Sequence, residues 1–240
     1  MHSIFVSDLH LSPERPRIVD SFFRFLKDTA SAAEALYILG DLFDYWIGDD
    51  DLEDGFNGAV ADALRELSGG TALHLMHGNR DLLLGAEFAR RSGARLIADP
   101  LLLDLHGTRT LLMHGDTLCS DDLAYQKFRA EVHDPEFQRK FLAQPLTARR
   151  QRVLGWRSDS ERSKGEKTEE IMDVTPATVE TALRNHGYPR LIHGHTHRPA
   201  RHLHVVDGRT CERWVLADWY QRGSYLGCDA GGCVAAALPP

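Results

Sequence analysis

The sequence predicts an α/β fold: two sheets packed as a sandwich and flanked by helices, with a helical cap inserted. Three observations carry this. Short apolar runs of strand length recur and end in polar punctuation (SIFVSDLH, ALYILGD, ALHLMHGN, RTLLMHGD and RLIHGHTH). Between the first of these lie segments with helical apolar spacing. Over residues 125–172 a charged, helical stretch interrupts the strand pattern.

In chain order, SIFVSDLH and ALYILGD flank residues 18–33, where Phe22, Phe25 and Leu26 recur at helical spacing, and residues 58–67 repeat that pattern before ALHLMHGN. Strand, helix, strand alternation gives a mostly parallel sheet in the first half. Ligands gather outside the carboxyl ends of such strands, where the polar clusters fall. From about Ala94 the runs ARLIADP, LLLDLHG and TRTLLMHG follow one another without helices, which gives a second, more antiparallel sheet. The tail YLGCDAGGCVAAALPP reads as a final strand pair turning at Gly231 and Gly232. A chain of 240 residues suits a single domain over residues 1–240 with this one insertion, and it can bury a substantial core.

Composition narrows the class. Cys119, Cys211, Cys228 and Cys233 form no CxxC pair, so free thiols in a reducing compartment are expected rather than a zinc ribbon or redox motif. The opening MHSIFVSDLHL shows no basic region ahead of a long apolar stretch, and no window approaches the ~20 apolar residues of a membrane span. A chain that stays inside the cell, soluble or peripheral, is expected. The formal net charge of −7 argues against a general nucleic-acid binder.

Chemistry is concentrated at the strand ends. Asp8 and His10, two apart in an extended segment, would share one face. Gly40-Asp41 delivers a carboxylate at a tight turn, where the absent side chain would let a ligand approach the backbone. Gly78-Asn79-Arg80-Asp81 repeats the arrangement with an amide oxygen and a cation, while His114-Gly115-Asp116 and His193-Gly194-His195-Thr196-His197 supply imidazoles. Any one of these histidines alone is more often a core or capping residue. Recurrence of metal-capable residues beside a glycine or another ligand at all five strand ends is not. Carboxylate, imidazole and amide oxygen without thiolate suit Mn, Fe or Zn. Two such ions about 3.5–4 Å apart would share a carboxylate, as in in-line displacement at phosphorus.

In this order DxH, GD, GN, H and GHxH resemble the calcineurin-like metallophosphoesterase superfamily. The resemblance implies the superfamily's two-sheet sandwich, with one metal held by Asp8, His10, Asp41 and His197 and the other by Asp41, Asn79, His114 and His195. Most members carry GNH where this chain has Gly78-Asn79-Arg80, and arginine can keep the cationic role. SDLHL, GDLFDYWIGDD, HGNRDLL, HGDTLCSDD, EIMDV and HGHTHRP are together similar to the UDP-2,3-diacylglucosamine hydrolase family. That resemblance runs through nearly the whole chain. It implies Mn2+-dependent cleavage at the α-phosphate to UMP and 2,3-diacylglucosamine 1-phosphate, in lipid A and lipopolysaccharide biosynthesis, by a peripheral protein on the cytoplasmic face of the inner membrane. It also implies catalytic roles for Asp41, Asn79, Arg80 and His195, and substrate contacts at Asn79, Arg80, Asp122, Ser160, Lys164, Lys167 and His195.

The insertion reads consistently with a lipid substrate. Phe128, Phe137, Phe141, Leu142, Leu146, Leu154 and Trp156 would hold acyl chains or pack the cap on the core. Arg139, Lys140, Arg149, Arg150, Arg152 and Arg157 would face anionic headgroups at about 1 kcal/mol each, or form a solvated face. Tyr45 and Trp46 are pocket wall or core. A hydrolase of another phosphodiester or nucleotide would use the same metal-binding residues. A non-catalytic scaffold is disfavoured because all seven ligand positions are filled.

Overall fold

The computed structural model describes residues 2–166, 171 and 173–239, with backbone alone over 159–166. The first sheet contains four parallel strands, β1 (Ser3–Val6), β2 (Ala35–Leu39), β3 (Ala72–Met76) and β4 (Arg95–Ile97). They are linked by α1 (Pro16–Asp28), α2 (Gly55–Leu67) and α3 (Ala86–Ser92). Proline at the first position starts α1, where its missing N–H is no loss. Ile18, Phe22, Phe25 and Leu26 then form its buried stripe, each side chain contributing about 1.5–3 kcal/mol by leaving water. Asp54 caps α2 by accepting from the Phe56 N–H at 3.0 Å.

The second sheet holds β5 (Leu101–Leu105), β6 (Thr108–Met113), β7 (Arg190–His193), β8 (Ala200–Val206) and β9 (Arg209–Val215), in the order β5-β6-β7-β9-β8. It is mixed: β6, β7 and β9 run parallel, and only the outer pairs are antiparallel. A helix over Pro176–Asn185 returns the chain as a crossover from β6 to β7, so these two run parallel, and β8 takes the outer edge, so β9 returns parallel to β7. ARLIADP departs further from expectation, since β4 joins the first sheet beside β3 after α3 rather than opening the second.

Between β6 and β7 three helices form the insertion: α4 (Leu123–Val132), α5 (Pro135–Leu142) and α6 (Leu146–Glu166). They are followed by α7 (Pro176–Asn185). Asp122 and Asp134 cap α4 and α5. The tail forms β10 (Ser224–Asp229) and β11 (Gly232–Ala237), and this hairpin extends the first sheet antiparallel to β1. Cys228 and Cys233 stand directly opposite in it and are joined as a disulfide, so the expectation of free thiols holds only for Cys119 and Cys211.

Phe5, Leu39, Met76, Leu112, Ile192 and Leu226 fill the space between the sheets. Phe22, Phe25 and Trp219 belong to the core under α1, and Val179 and Leu183 seal the second sheet beneath α7. With both sheets covered, the loops at the carboxyl ends of β1, β2, β3, β6 and β7 are left to meet at one edge. Among the described residues no helix is long and apolar enough to cross a membrane.

Candidate metal centre and its cavity

The metal-capable residues converge by a route that differs from strand alternation. β1 stops at Val6, and Asp8 and His10 adopt φ 55° and 49°. Asp41, His195 and His197 are also left-handed, at φ 55°, 67° and 55°. Such conformations cost roughly 1–2 kcal/mol each for residues with a Cβ and persist only where surroundings fix them. Here the N–H groups of Asp8 and His10 donate to the carbonyls of Gly40 and Asp41 at 3.1 and 3.0 Å. Arg15 donates to the carbonyls of His10 and Trp219 at 3.0 and 2.9 Å. The glycines serve loop packing rather than ligand access: a Cβ at Gly40 would strike the His114 ring and the Gly78 backbone, and one at Gly78 would strike Asp41.

One buried carboxylate ties the second and third loops. Asp81 accepts from the backbone N–H groups of Leu42, Gly78, Asp41 and Phe43 at 2.7, 2.8, 3.2 and 3.4 Å. The Arg80 N–H donates to Asp41 Oδ1 at 2.8 Å, fixing one rotamer of that carboxylate. Asp8 Oδ2 accepts from the Ser7 hydroxyl at 2.6 Å and the His195 N–H at 2.8 Å, leaving Oδ1 facing inward.

Around this frame His197 Nε2 lies 3.3 Å from Asp8 Oδ1 and 3.4 Å from His10 Nε2. His10 Nδ1 and His114 Nε2 lie 3.8 and 3.9 Å from the two oxygens of Asp41. Asn79 Oδ1 is 3.2 Å from His114 Nε2 and 3.0 Å from His195 Nδ1. His114 uses Nδ1 on the Leu39 carbonyl at 2.9 Å, which turns Nε2 toward the cluster. All seven residues singled out in the sequence therefore fall within one cluster.

These residues fit divalent cations. Asp8, His10 and His197 form one group with ligand atoms close enough to share an ion, and Asp8, Asp41 and His114 another. Asp8 Oδ1 and His10 Nδ1 are buried without a hydrogen-bond partner among the described residues, an unfavourable state that a cation relieves. Protonation reflects the crowding. Burial would raise the Asp8 carboxyl, yet contact with His197 and the charges of His114 and His10 hold it well below the usual range. Burial, with Asp81 and Asp8 nearby, pushes Asp41 up to about 7. His114 is raised to about 9, because Asp41, Asp116 and Asp8 outweigh its burial. Burial and the neighbouring His114 depress His195 to about 4.

A cavity of about 620 Å³ runs from His10, Asp41, Asn79 and His195 to the insertion helices. Its far wall is aromatic: Phe128, Phe137 and Phe141 surround Trp156 with centroids 5.6, 6.1 and 5.7 Å from its ring.

The model of the Calcineurin-like phosphoesterase family matches residues 1–199. The chain belongs to that family. Relatives named UDP-2,3-diacylglucosamine hydrolase are similar over almost the whole of this phosphoesterase. The one from Aromatoleum aromaticum is 54% identical over 233 residues, 97% of this chain and 95% of that protein. Those from Stenotrophomonas maltophilia and Cellvibrio japonicus are each 50% identical, covering 97% of this chain and 96% and 97% of those proteins. The chain is thus a metal-dependent hydrolase with a divalent-metal site that includes Asp8, His10, Asp41 and His114.

Arg80 and Asp122 line the cavity, and Asp122 also caps α4, accepting from the Tyr125 N–H at 3.1 Å. Ser160 and Lys164 lie on α6 in the stretch described by backbone alone, and Lys167 lies outside the described residues. Trp46 is both core and cavity wall, and Tyr45 is wall. The basic set of the insertion is not a uniform outward face. Arg149 is fully buried, bonded to Asp50 and to the Ile47 carbonyl; Arg150 pairs with Asp51 at 2.8 Å and Arg157 with Asp44 at 2.6 Å. Arg149 is therefore removed from the groups that could meet headgroups. Leu142 and Leu154 are exposed rather than part of the aromatic wall.

Sequence reasoning missed several supporting residues of the phosphoesterase. Asp116 accepts from Tyr125 at 2.8 Å and Arg129 at 2.6 Å, and its position beside His114 in HGD was the available signal. Tyr220 stacks on His10 with centroids 5.1 Å apart, and Asp218 lies 3.8 Å from His197 Nδ1. DWYQRG carries no pattern that marks either.

Proposed function

We propose that this chain hydrolyses the pyrophosphate bond of UDP-2,3-diacylglucosamine at the α-phosphate, with two Mn2+ ions, giving UMP and 2,3-diacylglucosamine 1-phosphate in lipid A biosynthesis. The observation that carries this is the continuity of the cavity, which joins the metal centre to an aromatic wall in one space. The names of the relatives supply the substrate.

In this scheme Asp8, His10, Asp41 and His197 would hold one ion and Asp41, Asn79, His114 and His195 the other, with Asp41 as the ligand common to both sets. Ions held there would supply Lewis-acid polarisation of the phosphoryl group and a lowered pKa for the attacking water. Arg80 donates to the oxygens that gain charge in the transition state. Asn79 and His195 orient the same phosphate, Asp122, Ser160, Lys164 and Lys167 contact the sugar-phosphate, and Phe128, Phe137, Phe141 and Trp156 receive acyl chains. The single domain of residues 1–240 thereby uses its insertion, about residues 125–172, as a substrate cap. Exposed Leu142 and Leu154, with Arg152 nearby on α6, support peripheral contact with an anionic bilayer on the cytoplasmic face of the inner membrane.

Burial of acyl methylenes at about 0.8 kcal/mol each supplies binding energy, part of which orients the pyrophosphate. The test is the ratio of kcat/KM for the diacylated and unacylated nucleotides in Mn2+ and detergent. A strong preference for the diacylated form supports the proposal; a ratio near one sinks it and favours a hydrolase of another phosphodiester.

A further inference from the structure

Asp44 sits three residues beyond Asp41, and its carboxylate lies between two guanidinium groups from different parts of the chain. Oδ2 is 2.6 Å from Nη2 of Arg157 on α6, and Oδ1 is 3.7 Å from Nη1 of Arg80 in the loop after β3. All three residues line the cavity. The Asp44 side chain is only 7% exposed, so the charges meet where water screens them little.

Each member is fixed by the fold. The Asp44 N–H donates to the Leu11 carbonyl at 3.0 Å, and the Arg80 carbonyl accepts from the Trp46 N–H at 3.0 Å. Arg157 lies over the Tyr45 ring at 5.8 Å. Two guanidinium groups thus flank one carboxylate along this wall, beside Asn79 and Asp41. Arg80 is at the metal-centre end of that row, and Arg157 is on the insertion.

We propose that Asp44 is a positioning residue for a diphosphate: it holds Arg80 and Arg157 as a pair, so that Arg80 addresses the phosphate at the metal centre and Arg157 the phosphate next to it. This rests on the diphosphate substrate proposed above but not on its acyl chains. Arginine suits the task because its charge persists and its planar donors match phosphate oxygens. A carboxylate between the two groups offsets their repulsion and limits their rotamers before substrate arrives.

UMP and UDP differ by one phosphate, so their competition against hydrolysis of an aryl phosphodiester, at fixed free Mn2+, isolates the second contact. Wild-type protein should bind UDP roughly tenfold more tightly than UMP, the effect of one added charge-assisted contact. Arg157→Ala and Asp44→Asn should each reduce that preference to about twofold, their double variant should lose no more than the worse single one, and Asp44→Glu should restore part of it. Thermal unfolding of each variant checks the fold. If Asp44 merely pins α6 to the core, Asp44→Asn weakens UMP and UDP by one common factor, and the proposal is overturned. Absence of a UDP preference in the wild-type protein overturns it as well. Neither result depends on whether the diacylated nucleotide is preferred over the unacylated one.

Discussion

Replacing Asp81 by asparagine asks whether one side chain holds the Asp41 and Asn79 loops in register. Asp81 is fully buried, and its oxygens accept from four backbone N–H groups: Gly78 and Asp41 at Oδ1, Leu42 and Phe43 at Oδ2. Asparagine has the same shape but keeps one oxygen. Whichever way its amide turns, two N–H groups face an NH2 instead of an acceptor. Each unsatisfied donor costs about 1–3 kcal/mol, so the variant should lose roughly 4 kcal/mol of stability. For 240 residues an unfolding entropy of about 2.1 cal/mol/K per residue gives ~0.5 kcal/mol/K, and therefore a fall in Tm of roughly 8 °C. The measurement is calorimetry in chelator, which removes stabilisation by bound metal. Metal affinity, titrated separately, should fall about 10–100-fold, as for other groups that orient ligands. A Tm within about 2 °C of wild type together with unchanged metal affinity would refute the reasoning.

Asp41→Asn should abolish most turnover, since the bridging ligand proposed above would, once uncharged, no longer hold two cations close together; two ions per chain by metal analysis with wild-type turnover would contradict it. Arg80→Ala should lower turnover by roughly 10²–10³ at unchanged metal content, the size expected for one lost charge-stabilising donor. Near-normal turnover would show that this guanidinium does not contact the reacting phosphate. Metal uptake should release protons near pH 7, because Asp41 is pushed up to about 7 and His114 to about 9 before an ion arrives. Affinity should accordingly rise with pH through that range, and calorimetric titrations in buffers of different ionisation enthalpy should register the release; uptake independent of pH and buffer would refute it.

The centre was legible from the sequence because strand-end residues are marked twice, by an apolar run before them and a glycine or second ligand beside them. Asp41, Asn79, His114 and His195 all carry that mark. The conformation that brings them together was not legible. Left-handed residues such as Asp8 and His10 have no periodic signature, and strand alternation led to the right cluster through the wrong backbone. Long-range electrostatics were hidden for a different reason: the partners of Arg149, Arg150 and Arg157 lie about a hundred residues earlier, in the loop carrying Asp44, Asp50 and Asp51. The disulfide depended on hairpin register, and a shift of one residue would turn Cys228 and Cys233 to opposite faces.

The left-handed backbone at Asp8, His10, Asp41, His195 and His197 also bears on how the molecule comes apart. Conformations that are unfavourable one at a time are maintained jointly, by hydrogen bonds between loops and by the cation the cluster accommodates. The sheets beneath them, packed through Phe5, Leu112 and Ile192, owe nothing to that cation. Chelation should consequently not melt the protein as a whole. It should loosen the catalytic edge alone, as a cooperative unit of low stability above a rigid floor, with amide exchange quickening in the ligand loops while β1, β2 and β7 stay protected.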